Sequence, residues 1–195
     1  MPIEYKCNMP RIPKIEYIHP PYKVEGPPKE ARESFYEFAK KRIKYLTDEE
    51  MRKWDKDRGG DPESKQPKPA LYIISIGGSK KGDSPEKWVD NLEIVVNKDA
   101  FKIKDKDYSD VMPFVIEHEI YETWLNAKKG AGSDLTMKKQ HILALRRAFL
   151  LAEQQGLSEK FLEWNSLIDP DNVKNRELCE YALKVAKRMV KNVNK

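Results

Sequence analysis

The chain has 195 residues, of which 39% are hydrophobic and 35% charged, and its 37 basic and 32 acidic side chains leave a net charge of +5. Four Trp, nine Tyr and six Phe supply apolar surface for a packed core, which excludes a chain that is disordered throughout. The charge is mixed rather than strongly basic, so the composition alone does not indicate nucleic-acid binding. We expect a single globular domain over residues 29–195.

The segment 1–28 is rich in proline. It contains seven prolines, including the pairs Pro20-Pro21 and Pro27-Pro28. This composition predicts an extended arm, either laid along the domain or ordered by binding a partner protein. Neither an apolar signal-peptide core nor a run of apolar residues long enough to span a bilayer is found in the sequence. We therefore expect a cytoplasmic protein without membrane contact.

The two cysteines, Cys7 and Cys179, lie far apart in the sequence. No Cys-x-x-Cys pair is present, which excludes a zinc ribbon and a thioredoxin-like redox motif. The sequence leaves open whether the two thiols form a disulfide. Two reduced thiols are the simpler interpretation for an intracellular protein.

The spacing of the apolar residues predicts that most of the chain is helical. A helix is expected over 28–46, and Thr47-Asp48-Glu49-Glu50 is typical of a capping box that opens a short second helix. Two β-strands follow, over 71–76 and 92–96. The remaining helices are predicted over four segments: from Ser109 or Asp110 to about 128, from Ser133 or Asp134 to 155, over 158–164 and over 175–193.

The fold class that follows is α+β and predominantly helical. The small sheet is expected to pack against the helix that begins near residue 109, and the helix that begins near residue 133 is its antiparallel partner.

The sequence His118-Glu119-Ile120-Tyr121-Glu122 is the most informative local feature. On a helix, His118 and Glu122 lie one turn apart within an apolar stripe formed by Val111, Val115 and Leu125. Burying a histidine and a carboxylate among apolar side chains is costly unless they have partners. The pattern therefore predicts that His118 and Glu122 bind each other or a shared ligand.

His141 is the predicted third member of this group, because it lies on an apolar face of the next helix. The short glycine-rich connection predicts an antiparallel helix pair. Glu122 is about six residues before the turn and His141 about seven after it, so the two should lie at similar heights. His118, Glu122 and His141 would then provide three protein ligands for a metal, with zinc preferred and iron or manganese as alternatives.

The stretch from Val115 to Glu122 resembles the metal-binding helix of the zincin metallopeptidases, whose His-Glu-x-x-His motif supplies two ligands and a general base. Glu122 stands where that family has its second histidine. The resemblance covers this helix and the strand that precedes it. It implies that His118 is a ligand, that Glu119 is the catalytic general base, and that the reaction is hydrolysis of a peptide or related amide bond.

A second interpretation remains open at this stage. His118, Glu122 and His141 could form a structural polar cluster in a non-catalytic helical protein that binds a partner protein or nucleic acid. The basic side chains of the last helices could contact phosphates, although a solvated face is the more common role for such residues. Both interpretations predict that the three side chains meet, and metal content separates them.

Overall fold

The computed structural model describes residues 29–59, 68–76, 87, 89–130 and 136–193. Within these ranges the helices are α1 (Lys29–Lys40), α2 (Asp48–Lys56), α3 (Met112–Gly130), α4 (Met137–Gln154), α5 (Ser158–Ile168) and α6 (Val173–Val193). The strands are β1 (Ile43–Leu46), β2 (Ala70–Ile76), β3 (Val89–Asn97), β4 (Lys102–Ile103) and β5 (Lys106–Asp107). The predicted fold class, α+β and predominantly helical, is confirmed. The proline-rich arm over 1–28 lies outside the described residues.

The main sheet has three strands, and the apolar strand β3 lies at its centre. β3 pairs in parallel with β1 and antiparallel with β2, so the strand order is β1-β3-β2. β4 and β5 form a separate two-stranded hairpin. Its turn residues, Lys104 and Asp105, have φ values of 49° and 66°. Positive φ at both positions gives the turn a twist that matches the two strands.

The prediction of one helix over 28–46 was wrong at its end. Helix α1 ends at Lys40, and Ile43–Leu46 form strand β1. The N–H of Ile94 in β3 donates to the carbonyl of Arg42 at 3.2 Å, which starts the pairing of the two strands. A pairing partner about 50 residues away outweighs the local helical spacing, since strand formation depends on neighbouring strands more than on intrinsic preference.

The predicted capping box at the start of α2 is confirmed. The Thr47 side chain accepts from the backbone N–H of Glu50, and the Glu50 carboxylate accepts from the backbone N–H of Thr47 at 2.7 Å. Two orphan donors at the helix N-terminus are therefore satisfied.

The N-caps predicted for the next two long helices were wrong. Residues 109–111 form a 3₁₀ turn rather than a cap, and α3 starts at Met112 with Pro113 in its first turn. For α4 the cap is Thr136, whose side chain accepts from the backbone N–H of Lys139. The earlier candidates, Ser133 and Asp134, lie outside the described residues. Thr136 has the same short polar chemistry, so sequence alone could not separate the three candidates.

The last two helices are longer than predicted. α5 continues to Ile168, which is buried, and α6 already begins at Val173 because Asn172 accepts from the backbone N–H of Asn175 at 3.0 Å. The buried face of α6 is formed by Cys179, Ala182, Leu183 and Ala186. Tyr181, also on α6, is 49% exposed.

α3 lies between the sheet and the other helices. It packs against β2 on one side and against α4 on the other, and α4 in turn packs on α6. Side-chain contacts join Glu117 to Arg147 and Glu122 to His141. The later of the two residues on α3 contacts the earlier of the two residues on α4. The two helices are therefore antiparallel, as predicted. None of the helices in the described part of the chain combines the length and apolar composition needed to span a bilayer.

Aromatic side chains connect these layers into one core. Phe35 of α1 packs against Trp124 of α3 with 5.2 Å between the ring centroids. Trp164 of α5 stacks on Phe101 at 5.0 Å, and its Nε1 donates to the carbonyl of Ala100 at 3.0 Å. A buried indole N–H needs such an acceptor. These contacts join α1 to α3 and α5 to the segment that follows β3.

Candidate metal centre

His118, Glu122 and His141 converge as the sequence predicted. The first two lie one turn apart on α3, and the third faces them from α4. One potential ligand atom from each residue lies within 4.8 Å of the others. His118 is only 8% exposed, and the other two side chains are half-buried. The three form a group close enough to hold a metal ion.

A single carboxylate oxygen faces both imidazoles. Oε2 of Glu122 is 3.0 Å from Nε2 of His118 and 3.4 Å from Nδ1 of His141. The two rings meet edge to face, with 4.8 Å between their centroids and an interplanar angle of 76°. The three donor atoms therefore surround a common space instead of forming separate pairs.

These separations fit the dimensions of a tetrahedral metal site. Bonds of about 2.0–2.1 Å at tetrahedral angles place neighbouring ligand atoms about 3.3 Å apart. The two distances from Glu122 to the imidazoles are already close to this value. The two imidazoles have to approach from at most 4.8 Å, which side-chain rotation can supply. Two imidazoles and one carboxylate are a donor set that suits several divalent transition metals.

The protonation states are also those that a metal requires. Burial raises the pKa of Glu122, but hydrogen bonds from His118 and His141 outweigh this effect and hold the pKa at about 2. Burial lowers the pKa of His118, against the opposing hydrogen bond to Glu122. At neutral pH the cluster therefore contains an ionised carboxylate and a neutral His118, and metal ligands must be in these deprotonated forms.

The second nitrogen of His118 is buried without a partner. Its Nδ1 makes no hydrogen bond to any of the residues that the structure describes, whereas Nε2 contacts Glu122. Histidines that bind metals commonly donate from the other ring nitrogen to an acceptor that fixes their orientation. Within the described residues, the orientation of the His118 ring therefore depends on Glu122 and on packing.

Glu119, the predicted general base, is half-buried on α3 beside His118. Burial and the charge of Glu122 raise its pKa to about 8. A carboxyl group whose pKa lies near neutrality can both accept and release a proton under physiological conditions. The electrostatic environment of Glu119 is therefore compatible with the role that the zincin resemblance implies for it.

Two residues near the cluster were not predicted from the sequence. Nδ2 of Asn126, in α3, donates to the hydroxyl of Tyr72, in β2, at 2.5 Å. Burial and the charges of Glu122 and Glu119 raise the pKa of Tyr72 well above its ordinary value. Asn126 follows Glu122 by one helical turn, which is a detectable signal. No signal in the sequence indicated Tyr72, because its position depends on how the sheet packs on α3.

Comparison with protein-family models, with curated proteins and with solved structures found no match to this chain. The likeness to zincins therefore rests on the residues of α3 and on the His118, Glu122 and His141 group, and no family is assigned to the chain.

Proposed function

We propose that this protein is a metal-dependent hydrolase that cleaves peptide or related amide bonds. One observation carries the proposal: His118 and Glu122 of α3 meet His141 of α4 around a common space, with ligand atoms within 4.8 Å of one another. Glu119 beside this group supports a hydrolytic role rather than a purely structural metal, because it adds a second carboxyl group that is not required for binding.

Zinc is the metal that we favour, and iron and manganese accept the same donors. Three protein ligands are typical of catalytic zinc sites, which keep one position for water or substrate. A cation held by these three residues would polarise a substrate carbonyl and lower the pKa of a bound water towards neutrality. The closed Cys₄ or Cys₂His₂ arrangement of structural zinc is not what this donor set provides.

We assign the proton transfers of the reaction to Glu119. Hydrolysis of an amide adds the oxygen of water to the carbonyl carbon and breaks the C–N bond, so a proton must move from the water to the leaving nitrogen. Glu119 accepts that proton and then delivers it to the amine. Tyr121 and Glu117, its neighbours on α3, are directed towards Arg147 instead.

A peptide-cleavage assay on metal-loaded protein tests this proposal. The substrates are a mixture of fluorogenic peptides of varied sequence, and the variants are Glu119→Gln and, as the matched control, Glu49→Gln on the exposed surface of α2. We expect Glu119→Gln to retain metal and to lose cleavage by at least about 100-fold, as is typical for loss of a general base. Glu49→Gln should cleave like the wild type. Equal activity of Glu119→Gln and wild type would remove Glu119 from the mechanism.

A non-catalytic binding protein is the second candidate, and one observation favours it. Glu122 already receives hydrogen bonds from both imidazoles, so its carboxylate has partners without a cation. In that case the arm over 1–28 and the basic α6 would contact a partner protein or nucleic acid. This candidate predicts that a chelator leaves the thermal unfolding midpoint of the purified protein unchanged, whereas removal of a bound metal lowers it.

A further inference from the structure

Arg147 of α4 joins three helices at one point. Its Nε donates to Oε1 of Glu117 in α3 and, at 3.1 Å, to the hydroxyl of Tyr36 in α1. The hydroxyl of Tyr36 in turn donates to the same Oε1 of Glu117 at 2.7 Å. The three side chains therefore form a closed triangle of hydrogen bonds, in which each side chain is held by the other two.

Aromatic rings flank the guanidinium of Arg147. Its central carbon lies 5.6 Å from the ring centroid of Tyr36 and 5.3 Å from that of Tyr121 in α3. Both distances are within the range of a cation–π contact. The side chains of Arg147 and Glu117 are also largely shielded from water. Because opposite charges attract more strongly where water is excluded, sliding α4 along α3 would cost free energy at this contact.

The contact within the metal centre is weaker. Nδ1 of His141 lies 3.4 Å from Oε2 of Glu122, which is long for a hydrogen bond. A histidine nitrogen that binds a cation carries no proton, so it can no longer donate to the carboxylate. The height at which His141 meets α3 then depends on contacts between α3 and α4 outside the ligand group.

We propose that Arg147 is a positioning residue of the metal centre, which holds α4 at the height where His141 meets its partners on α3. This inference rests on the proposed function, because it requires His141 to be a metal ligand. Arg147 follows His141 by six residues, and Glu117 precedes Glu122 by five. The two contacts are therefore separated by only about 7.5–9 Å of helix, and a shift of α4 at one contact is also a shift at the other.

Binding of Co²⁺ to the full-length protein tests this role, because Co²⁺ reports its ligand geometry through visible absorption. The variant is Arg147→Met, which removes the guanidinium and keeps an unbranched side chain that can fill the space. Loss of a group that supports a metal ligand typically weakens binding by about 10–100-fold. We expect Kd to rise by at least about tenfold, together with a changed visible spectrum, since α4 no longer holds His141 at one height.

Arg146→Met is the matched control, because Arg146 is the preceding residue of α4 but contacts α6 instead of α3. Its Nη2 donates to the hydroxyl of Tyr181 in α6 at 2.6 Å, and its guanidinium carbon lies 5.0 Å from the centroid of that ring. This variant removes the same charge and also an Arg–Tyr contact from the same helix. We expect it to keep the Co²⁺ spectrum of the wild type and a Kd within about threefold, less than the change that follows loss of support for a metal ligand.

A double variant that combines Glu117→Met with Arg147→Met separates positioning from stability. Replacing both partners of a buried ion pair by apolar side chains is often neutral or stabilising, so this protein should fold even if Arg147→Met alone does not. Apolar contacts have no preferred direction, so they do not hold α4 at one height. We expect the double variant to unfold thermally near the midpoint of the wild type and still to bind Co²⁺ at least about tenfold more weakly.

The outcomes separate this inference from the proposed function. If the wild type binds Co²⁺ and folded Arg147→Met or the double variant binds it with the same Kd and spectrum, the role of Arg147 is overturned and the metal centre stands. Equal weakening by Arg146→Met also overturns that role, because the effect is then not specific to the α3–α4 contact. If the wild type binds no Co²⁺, the metal centre and the role of Arg147 are both overturned.

Discussion

Glu117 accepts a hydrogen bond from Nε of Arg147 across the interface between α3 and α4, and the two side chains are only 9% and 15% exposed. Tyr36 of α1 donates to the same carboxylate oxygen at 2.7 Å. Glu117 immediately precedes His118, and Arg147 lies six positions after His141 on the same helix. This buried ion pair therefore fixes how far α4 is shifted along α3, and with it the height at which His141 meets Glu122.

The first prediction concerns this ion pair. Glu117→Gln removes the carboxylate charge that faces the buried guanidinium of Arg147, and removal of one partner from such a pair typically costs about 3–5 kcal/mol. We expect the free energy of unfolding, measured by urea titration, to fall by about 3 kcal/mol. The control is Glu37→Gln, which breaks the exposed pair with Lys40 and should cost no more than about 0.5 kcal/mol. A similar loss of unfolding free energy in both variants would contradict the claim that the buried pair stabilises the protein more than the exposed pair does.

The second prediction concerns the pH dependence of stability in metal-free protein. The pKa of Glu119 is about 8 in the folded state, against an ordinary value of 4.5. Between pH 4.5 and 8 the folded state therefore binds more protons at this position than the unfolded state. The contribution of Glu119 to stability must therefore fall as pH rises through this range, because the charged form of its carboxyl group is disfavoured in the folded protein.

Glu119→Gln removes the free-energy cost of ionising this carboxyl group in the folded protein. A comparison of the variant with the wild type therefore measures that cost. We expect the variant and the wild type to be similarly stable near pH 4.5, where the carboxyl is protonated in the folded state. The variant should become progressively more stable relative to the wild type up to pH 8, by a few kcal/mol at about 1.4 kcal/mol per pKa unit. Denaturant titrations at several pH values measure this difference. A difference that stays constant with pH would show that the pKa of Glu119 is not raised.

The third prediction concerns Cys179, which is fully buried on the inner face of α6. Burial, with a smaller contribution from Glu180, raises the pKa of its thiol to about 12. Because the thiolate is the reactive form, the thiol should not react with a disulfide reagent while the protein is folded. In a Cys7→Ser variant we expect no modification in buffer and one equivalent in denaturant. Rapid modification in buffer would place Cys179 at an accessible position.

The helical part of the site was predictable because it depends on local rules. The period of 3.6 residues places His118 and Glu122 on one face, and the short connection makes α3 and α4 antiparallel neighbours. Together these rules fix the height of His141 to within about a turn. The strand predictions over 71–76 and 92–96 lie within β2 and β3 for a similar reason, since both segments are rich in β-branched residues.

The features that sequence reasoning missed all depend on long-range pairing. β1 forms because Ile43–Leu46 find a parallel partner in β3, whereas the local spacing continues the helical pattern. Tyr72 meets Asn126 of α3 only because β2 packs on α3. A basic side chain such as Arg147 is usually expected on a solvated face, but Arg147 of α4 pairs with Glu117 in the α3–α4 interface. No spacing rule within one element contains this information.

The central claim is that His118, Glu122 and His141 bind a metal ion, and calorimetric titration of the metal-free, full-length protein with Zn²⁺ tests it most directly. The variants are His118→Ala and His141→Ala, with His19→Ala, which replaces the third histidine of the chain, as the control. We expect the wild type and His19→Ala to bind one equivalent of Zn²⁺, and His118→Ala and His141→Ala to lose that binding. Absence of stoichiometric binding in the wild type, or binding that His118→Ala leaves unchanged, would contradict the claim.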